Sequence, residues 1–108
     1  MKIVRLKPYL RSMQRMGFDD DGMRQLEFGI AAAPDAHPVL KGLRGVRKMR
    51  IALPGRGKSG GGRVIYYFAV GRAIYMMTAY PKNERDDLSS DQRKAILATI
   101  ESLKEIKS

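Results

Sequence analysis

"RKMRIALPGRGKSGGGRVIYYF" runs from Arg47 to Phe68, and its reading decides the fold. Within it, Ala52 to Ser59 satisfies the loose spelling of a phosphate-binding loop, a small residue and four spacers ahead of Gly-Lys-Ser. Such a loop needs a helix beginning at Lys58-Ser59, so that the positive helix end faces the anion. The chain continues instead with Gly60-Gly61-Gly62 and then Arg63-Val64-Ile65-Tyr66-Tyr67-Phe68. Three successive glycines oppose a helix start, and β-branched and aromatic residues favour a strand. Nor does the segment contain an acid that could help hold magnesium. The stretch therefore reads as a strand, a glycine-rich loop and a second strand, with Arg56 and Lys58 as loop cations able to fold over a polyanion on the sheet.

In the first of these strands Met49, Ile51 and Leu53 alternate with Lys48, Arg50 and Ala52, giving one buried and one basic face. "RVIYYFAV", Arg63 to Val70, is apolar on both faces beyond Arg63, as a central strand would be. Gly71-Arg72 forms a two-residue turn into "AIYMMTAY", Ala73 to Tyr80, and the three strands make an antiparallel meander.

Working outward, "LSSDQRKAILATIESLKEIKS" pairs Ser89 with Gln92 at capping-box spacing. Ile96, Ile100, Leu103 and Ile106 then mark one apolar helical face that can close over the sheet. Toward the N-terminus, "KIVRL" reads as a short strand. Tyr9, Leu10, Met13 and Met16 form a helical stripe between Pro8 and Gly17. Asp19, Asp20 and Asp21 precede a second stripe of Met23, Leu26 and Ile30, where acids cap a helix rather than bind a metal. The second helix ends at Pro34 in a loop rich in Pro and Gly. The expected order is strand, two helices, three strands, helix, an α+β fold in one domain, residues 1–108.

The 21 basic and 11 acidic residues leave a net charge of +10. Between Ala36 and Asn83 there are ten Lys or Arg and no Asp or Glu, so the whole excess belongs to that central segment. Because these cations are interleaved with strand-forming residues, they form a folded basic surface that attracts polyanions. With no cysteine and one histidine, disulfides and Cys- or multi-His metal sites are excluded. No run approaches the about 18 apolar residues of a membrane span, so the expectation is a soluble, cytoplasmic protein that does not engage a membrane.

"RKMRIALPGRGKSGGGRVIYYF" and "IYMMTAYPKNERDDLSSDQRKAILATIESLK" together resemble the RelE/HigB superfamily of type II toxin-antitoxin toxins, in particular its HigB-like branch. Leu43 to Lys104 carries the resemblance. It implies a RelE-like, microbial RNase-like fold, a curved antiparallel sheet of about four strands flanked by two N-terminal helices and one C-terminal helix. It further implies a ribosome-dependent endoribonuclease that cuts mRNA and is neutralised by a cognate antitoxin, with operator DNA reached only through that antitoxin. No cofactor is implied.

Metal-independent RNA cleavage moves the ribose 2′-OH onto phosphorus, and needs a proton acceptor, cations for the phosphorane charge and a donor for the 5′-oxygen. By motif position Lys48, Arg50 and Arg63 match the family's basic pair and strand-initial arginine. Arg50 and Arg63 suit phosphate and transition-state charge, and Lys48 suits proton transfer or substrate positioning. Lys82 and Glu84 are further catalytic candidates. Arg47, Arg56, Lys58 and Tyr80 are candidate RNA contacts, Tyr80 by stacking on a base or by donating a proton. Where some relatives carry an arginine this chain has Asn83, and where they carry a tyrosine or histidine it has Ser89, which leaves the general acid unassigned. His37 reads as a loop residue, and Tyr66, Tyr67 and Phe68 as core. Two other functions compete: a ParE-like toxin that poisons DNA gyrase without cutting RNA, and a non-toxic basic RNA-binding module.

Overall fold

The computed structural model describes residues 1–55, 61–69, 73–84 and 87–107. In chain order these form β1 (Lys2–Arg5), α1 (Lys7–Arg15), α2 (Asp20–Ala32), β2 (Val46–Ile51), β3 (Gly62–Ala69), β4 (Ala73–Pro81) and α3 (Ser90–Lys107). The sheet order is β1-β4-β3-β2. β2, β3 and β4 form the expected antiparallel meander, whereas β1 pairs with β4 in parallel, so the sheet is mixed rather than wholly antiparallel. The reason is topological: α1 and α2 intervene between β1 and the meander, and such a crossover returns the chain parallel to its start. The expected Gly71-Arg72 turn lies outside the described residues.

Helix ends follow local chemistry. Pro8 sits in the first turn of α1, and the Asp19 side chain caps α2 by accepting the Gly22 N–H at 2.8 Å. At α3 the capping box is reciprocal, with Gln92 N–H donating to Ser89 Oγ at 3.1 Å and Ser89 N–H to Gln92 Oε1 at 3.0 Å.

Two cores lie on opposite faces of the sheet. Tyr9, Met13, Met23 and Ile30 of α1 and α2 pack on Val64, Tyr66, Ile74 and Met76. On the other face Ile96 and Ile100 of α3 pack with Leu43, Val46, Ile65, Met77, Tyr80 and Leu88. The register of β3 with β4 shifts between Ile65 and Tyr66, where Met77 is an extra residue, and such a bulge bends the sheet. Among the described residues no helix is long and apolar enough to cross a membrane.

One acid is buried within the helical layer. Glu27 of α2, 4 % exposed, lies on the same stripe as Met23 and Ile30. Arg5 of β1 donates to it through Nε (2.8 Å to Oε2) and Nη2 (2.9 Å to Oε1), and Tyr9 of α1 donates its hydroxyl (2.7 Å to Oε2). Arg5 also donates through Nη1 to Asp20 Oδ1 at 2.6 Å, and Arg24 pairs with Asp20 at 2.9 Å. The Arg5 hydrogen bond, with Arg24, holds the Asp20 carboxyl below the usual range. Burial, reinforced by the Glu27 hydrogen bond, pushes the Tyr9 phenol well above its ordinary value.

Removing one member of a buried pair strands the other charge, at about 3–5 kcal/mol. Glu27→Gln is therefore expected to cost about 3 kcal/mol by urea denaturation, at the low end because Asp20 still engages Arg5. An unchanged midpoint would show that the network contributes nothing.

Tyr9 also bears on stability in alkali, as does Tyr66, whose phenol is likewise raised by burial. A phenol whose folded pKa is raised contributes stability that is fully present below the unfolded value, about 10, and lost as pH rises through the folded value. Between about pH 9 and about pH 11 the urea midpoint should fall, and Tyr9→Phe should flatten that decline. Ionisation of all five tyrosines in the folded protein, followed by phenolate absorbance, contradicts this.

Candidate functional site

The meander builds a row of cations. β2 and β3 pair with Arg50 opposite Arg63 and Lys48 opposite Ile65, and β3 and β4 pair with Arg63 opposite Tyr80. Directly opposed residues share a face, and alternation puts Lys48 and Arg50 on the same side as Val46. Lys48, Arg50, Arg63 and Tyr80 therefore stand on the α3 side of the sheet, with Val46 and Ile65.

Arg63 is only 9 % exposed and donates through Nη1 to the Gly62 carbonyl at 2.9 Å. A single carbonyl uses one of five guanidinium donors, and among the described residues no carboxylate pairs with Arg63. Arg50 is exposed and Lys48 half-buried, and neither makes an ion pair among the described residues. Two arginines directly opposed across strands repel unless an anion stands between or above them. The fork geometry of each suits bidentate contact with phosphate oxygens.

The other residues singled out from sequence fall in different places. Tyr80 shares the row but is 4 % exposed, packed in the core with Leu88 and Ile96, so its ring lies beneath the surface rather than on it as a stacking platform. Arg47 alternates to the opposite face, where Nη1 donates to the carbonyls of His37 (2.6 Å) and Asp35 (3.2 Å) and fastens that loop. It therefore does not join the row. His37 meets Tyr66 edge to face, their centroids 6.2 Å apart, and the Tyr66 hydroxyl donates to the Pro34 carbonyl at 2.7 Å.

Lys82 and Glu84 are both exposed in the turn after β4. Glu84 lines a hollow of about 280 Å³ with Arg15, Met16, Leu53, Pro81 and Asn83, near the end of α1. The Lys82 N–H donates to the Gly61 carbonyl at 3.1 Å, tying this turn to the end of the glycine-rich loop. Gly61 has φ +40°, and a Cβ there would lie 2.9 Å from the Ile51 carbonyl oxygen, so only glycine fits. Gly62 opens β3, so among the described residues a strand, not a helix, succeeds the glycines. Arg56 and Lys58 lie outside the described residues.

One residue beside the site is not singled out by the sequence reading. Asp87 accepts the Leu88 N–H at 2.8 Å and an Arg93 Nη2 hydrogen bond at 3.3 Å. The Leu88 N–H, and after it Arg93 and Lys48, hold its carboxyl below the usual range. Only its position just ahead of the Ser89 capping box could have drawn notice. Among the described residues no group of His, Cys, Asp or Glu could hold a metal ion.

Among solved structures, a mutant of the E. coli toxin RelE in the free state is similar in fold, with a TM-score of 0.56 at 12% sequence identity, over 79% of this chain and 86% of that one. The family model described as the RelE toxin of the RelE / RelB toxin-antitoxin system matches residues 1–108. A match along the whole length, together with that fold, means that this chain belongs to the RelE toxin family.

Proposed function

We propose that the chain is a single-domain, ribosome-dependent mRNA endoribonuclease of the HigB-like branch, acting in the cytoplasm to arrest translation and neutralised by a cognate antitoxin. The observation that carries this reading is the cross-strand Arg50–Arg63 pair with Lys48 beside it on one sheet face. Arg50 and Arg63 bind the scissile phosphate and stabilise the phosphorane charge. In the reaction the 2′-oxygen loses its proton and bonds to phosphorus, the bond to the 5′-oxygen breaks, and that oxygen takes up a proton. Lys48 serves proton transfer or positioning at this phosphate, and no metal takes part.

Cations bind and neutralise the phosphate but do not by themselves align the attacking 2′-oxygen with phosphorus. The ribosome supplies the missing rate by fixing the message in line. Lys82, at the turn just past the row, contributes charge to the bound strand, and Arg56 and Lys58 contact its backbone from the loop. Glu84 is a weaker assignment, because it stands beside Arg15. The antitoxin presents an acidic or amphipathic segment to the basic face, and operator DNA is reached only through it.

The test is cleavage of a reporter transcript in a purified translation system. Wild-type protein is expected to cut it. Arg63→Ala should lose roughly a hundredfold or more in rate, as when one oxyanion donor worth about 3 kcal/mol is removed. Arg63→Lys, which keeps the buried charge but not the fork, should also be impaired, and Lys48→Ala should be less affected than Arg63→Ala. Full activity of a folded Arg63→Ala variant contradicts the assignment. Intact RNA with gyrase-dependent DNA breaks would instead establish the ParE-like alternative, and unaffected growth on expression without a partner would favour a non-toxic RNA-binding module.

A further inference from the structure

The hollow of about 280 Å³ at the Pro81 end of β4 gathers polar side chains for which the cation row has no place. Its apolar wall is Met16, Leu53 and Pro81, the last two of them buried. Pro81 pairs across the strands with Gly62, the residue before Arg63. Leu53 lies against the same glycine, where an added Cβ would meet its Cδ2 at 3.1 Å. The hollow therefore starts one residue along the chain from the arginine assigned to the phosphate. Backbone bonds fix its rim. The Glu84 N–H donates to the Pro81 carbonyl at 3.1 Å, and the Lys82 N–H ties the turn to the Gly61 carbonyl.

Arg15, Asn83 and Glu84, all exposed, complete the lining. Among the described residues neither Arg15 nor Glu84 closes an ion pair, although both border the same space. A guanidinium fork and a carboxylate that share a hollow without meeting leave room for a group that accepts from one and donates to the other. A phosphate does not meet that description, because the Glu84 carboxylate repels it. A nucleobase does, since it is flat enough to lie against the apolar wall and carries donors and acceptors on its edges. A carboxylate accepts two parallel hydrogen bonds. Of the four RNA bases only guanine offers two adjacent donors, N1–H and N2–H, while its O6 and N7 accept from an arginine fork. Adenine and cytosine offer one amino group each, and uracil one N–H.

We propose that this hollow receives the base of a nucleotide flanking the scissile phosphate and selects guanine, Glu84 accepting from N1–H and N2–H and Arg15 donating to O6 and N7. This rests on the proposed ribonuclease function, and it makes Glu84 a reader of sequence rather than a participant in the chemical step.

The experiment is single-turnover cleavage on programmed ribosomes of transcripts that differ only in the base on either side of the cut, with thermal unfolding confirming that each variant is folded. With wild-type protein, guanine at one of these positions should be cut roughly ten- to a hundredfold faster than the other bases, the discrimination of a bidentate base contact. Inosine, which lacks the 2-amino group, should lose part of that advantage. Glu84→Gln, which replaces one acceptor oxygen with a donor, and Arg15→Ala should each shrink the preference to severalfold or less, and Glu84→Gln should no longer distinguish inosine from guanine. Equal rates for all four bases, a preference that survives both substitutions, or a Glu84→Gln variant that slows every transcript alike each overturn the inference and leave the ribonuclease function standing. A wild-type protein that leaves every transcript intact overturns both.

Discussion

The Glu27 carboxylate joins three elements, β1, α1 and α2, at one buried point. It accepts from Arg5 of β1 and from Tyr9 of α1 while sitting on α2. A buried ion pair of this kind adds little net stability over an apolar core, but a misplaced partner leaves a charge unpaired in low dielectric. The angle of the two helices against β1 is thereby fixed. That layer covers one face of the sheet with Tyr9, Met13, Met23 and Ile30, and the opposite face is left to α3 and to the cations of β2 and β3.

On that second face, apolar and charged residues divide the strands between them. Val46, Ile65 and Tyr80 receive Leu88 and α3, while Lys48, Arg50 and Arg63 lie beside them in the same rows. Burying Arg63 without a carboxylate partner among the described residues costs stability, and the Gly62 carbonyl offsets only part of that cost. A buried cation of this kind suits an anion site, because Arg63 is already desolvated and less reorganisation is left for the moment of binding.

Much of this is legible in the sequence, and for identifiable reasons. Period-two alternation in "RKMRI" places Lys48 and Arg50 on one face, and the Asp19 cap and the Ser89–Gln92 box mark two helix starts through short-range chemistry. Long-range pairings leave no such trace. The parallel docking of β1 beside β4 depends on how the helices pack, and Glu27 has the spacing of an apolar stripe but the identity of a surface residue. Arg47 looks like one more cation of a basic segment until alternation sends it to the loop carbonyls of Asp35 and His37. Tyr80 reads as a surface ring because its motif is charged, but α3 and Leu88 close over it.

The central claim is that a row of fixed cations drives transesterification of ribosome-bound message without a metal. The chemistry of the cut ends tests it most directly. Products generated on programmed ribosomes and analysed for their termini should carry a 2′,3′-cyclic phosphate, or the 3′-phosphate from its opening, on the upstream fragment and a 5′-hydroxyl on the downstream one. A 3′-hydroxyl and a 5′-phosphate would mean that water, not the 2′-oxygen, attacked phosphorus, and would contradict the account.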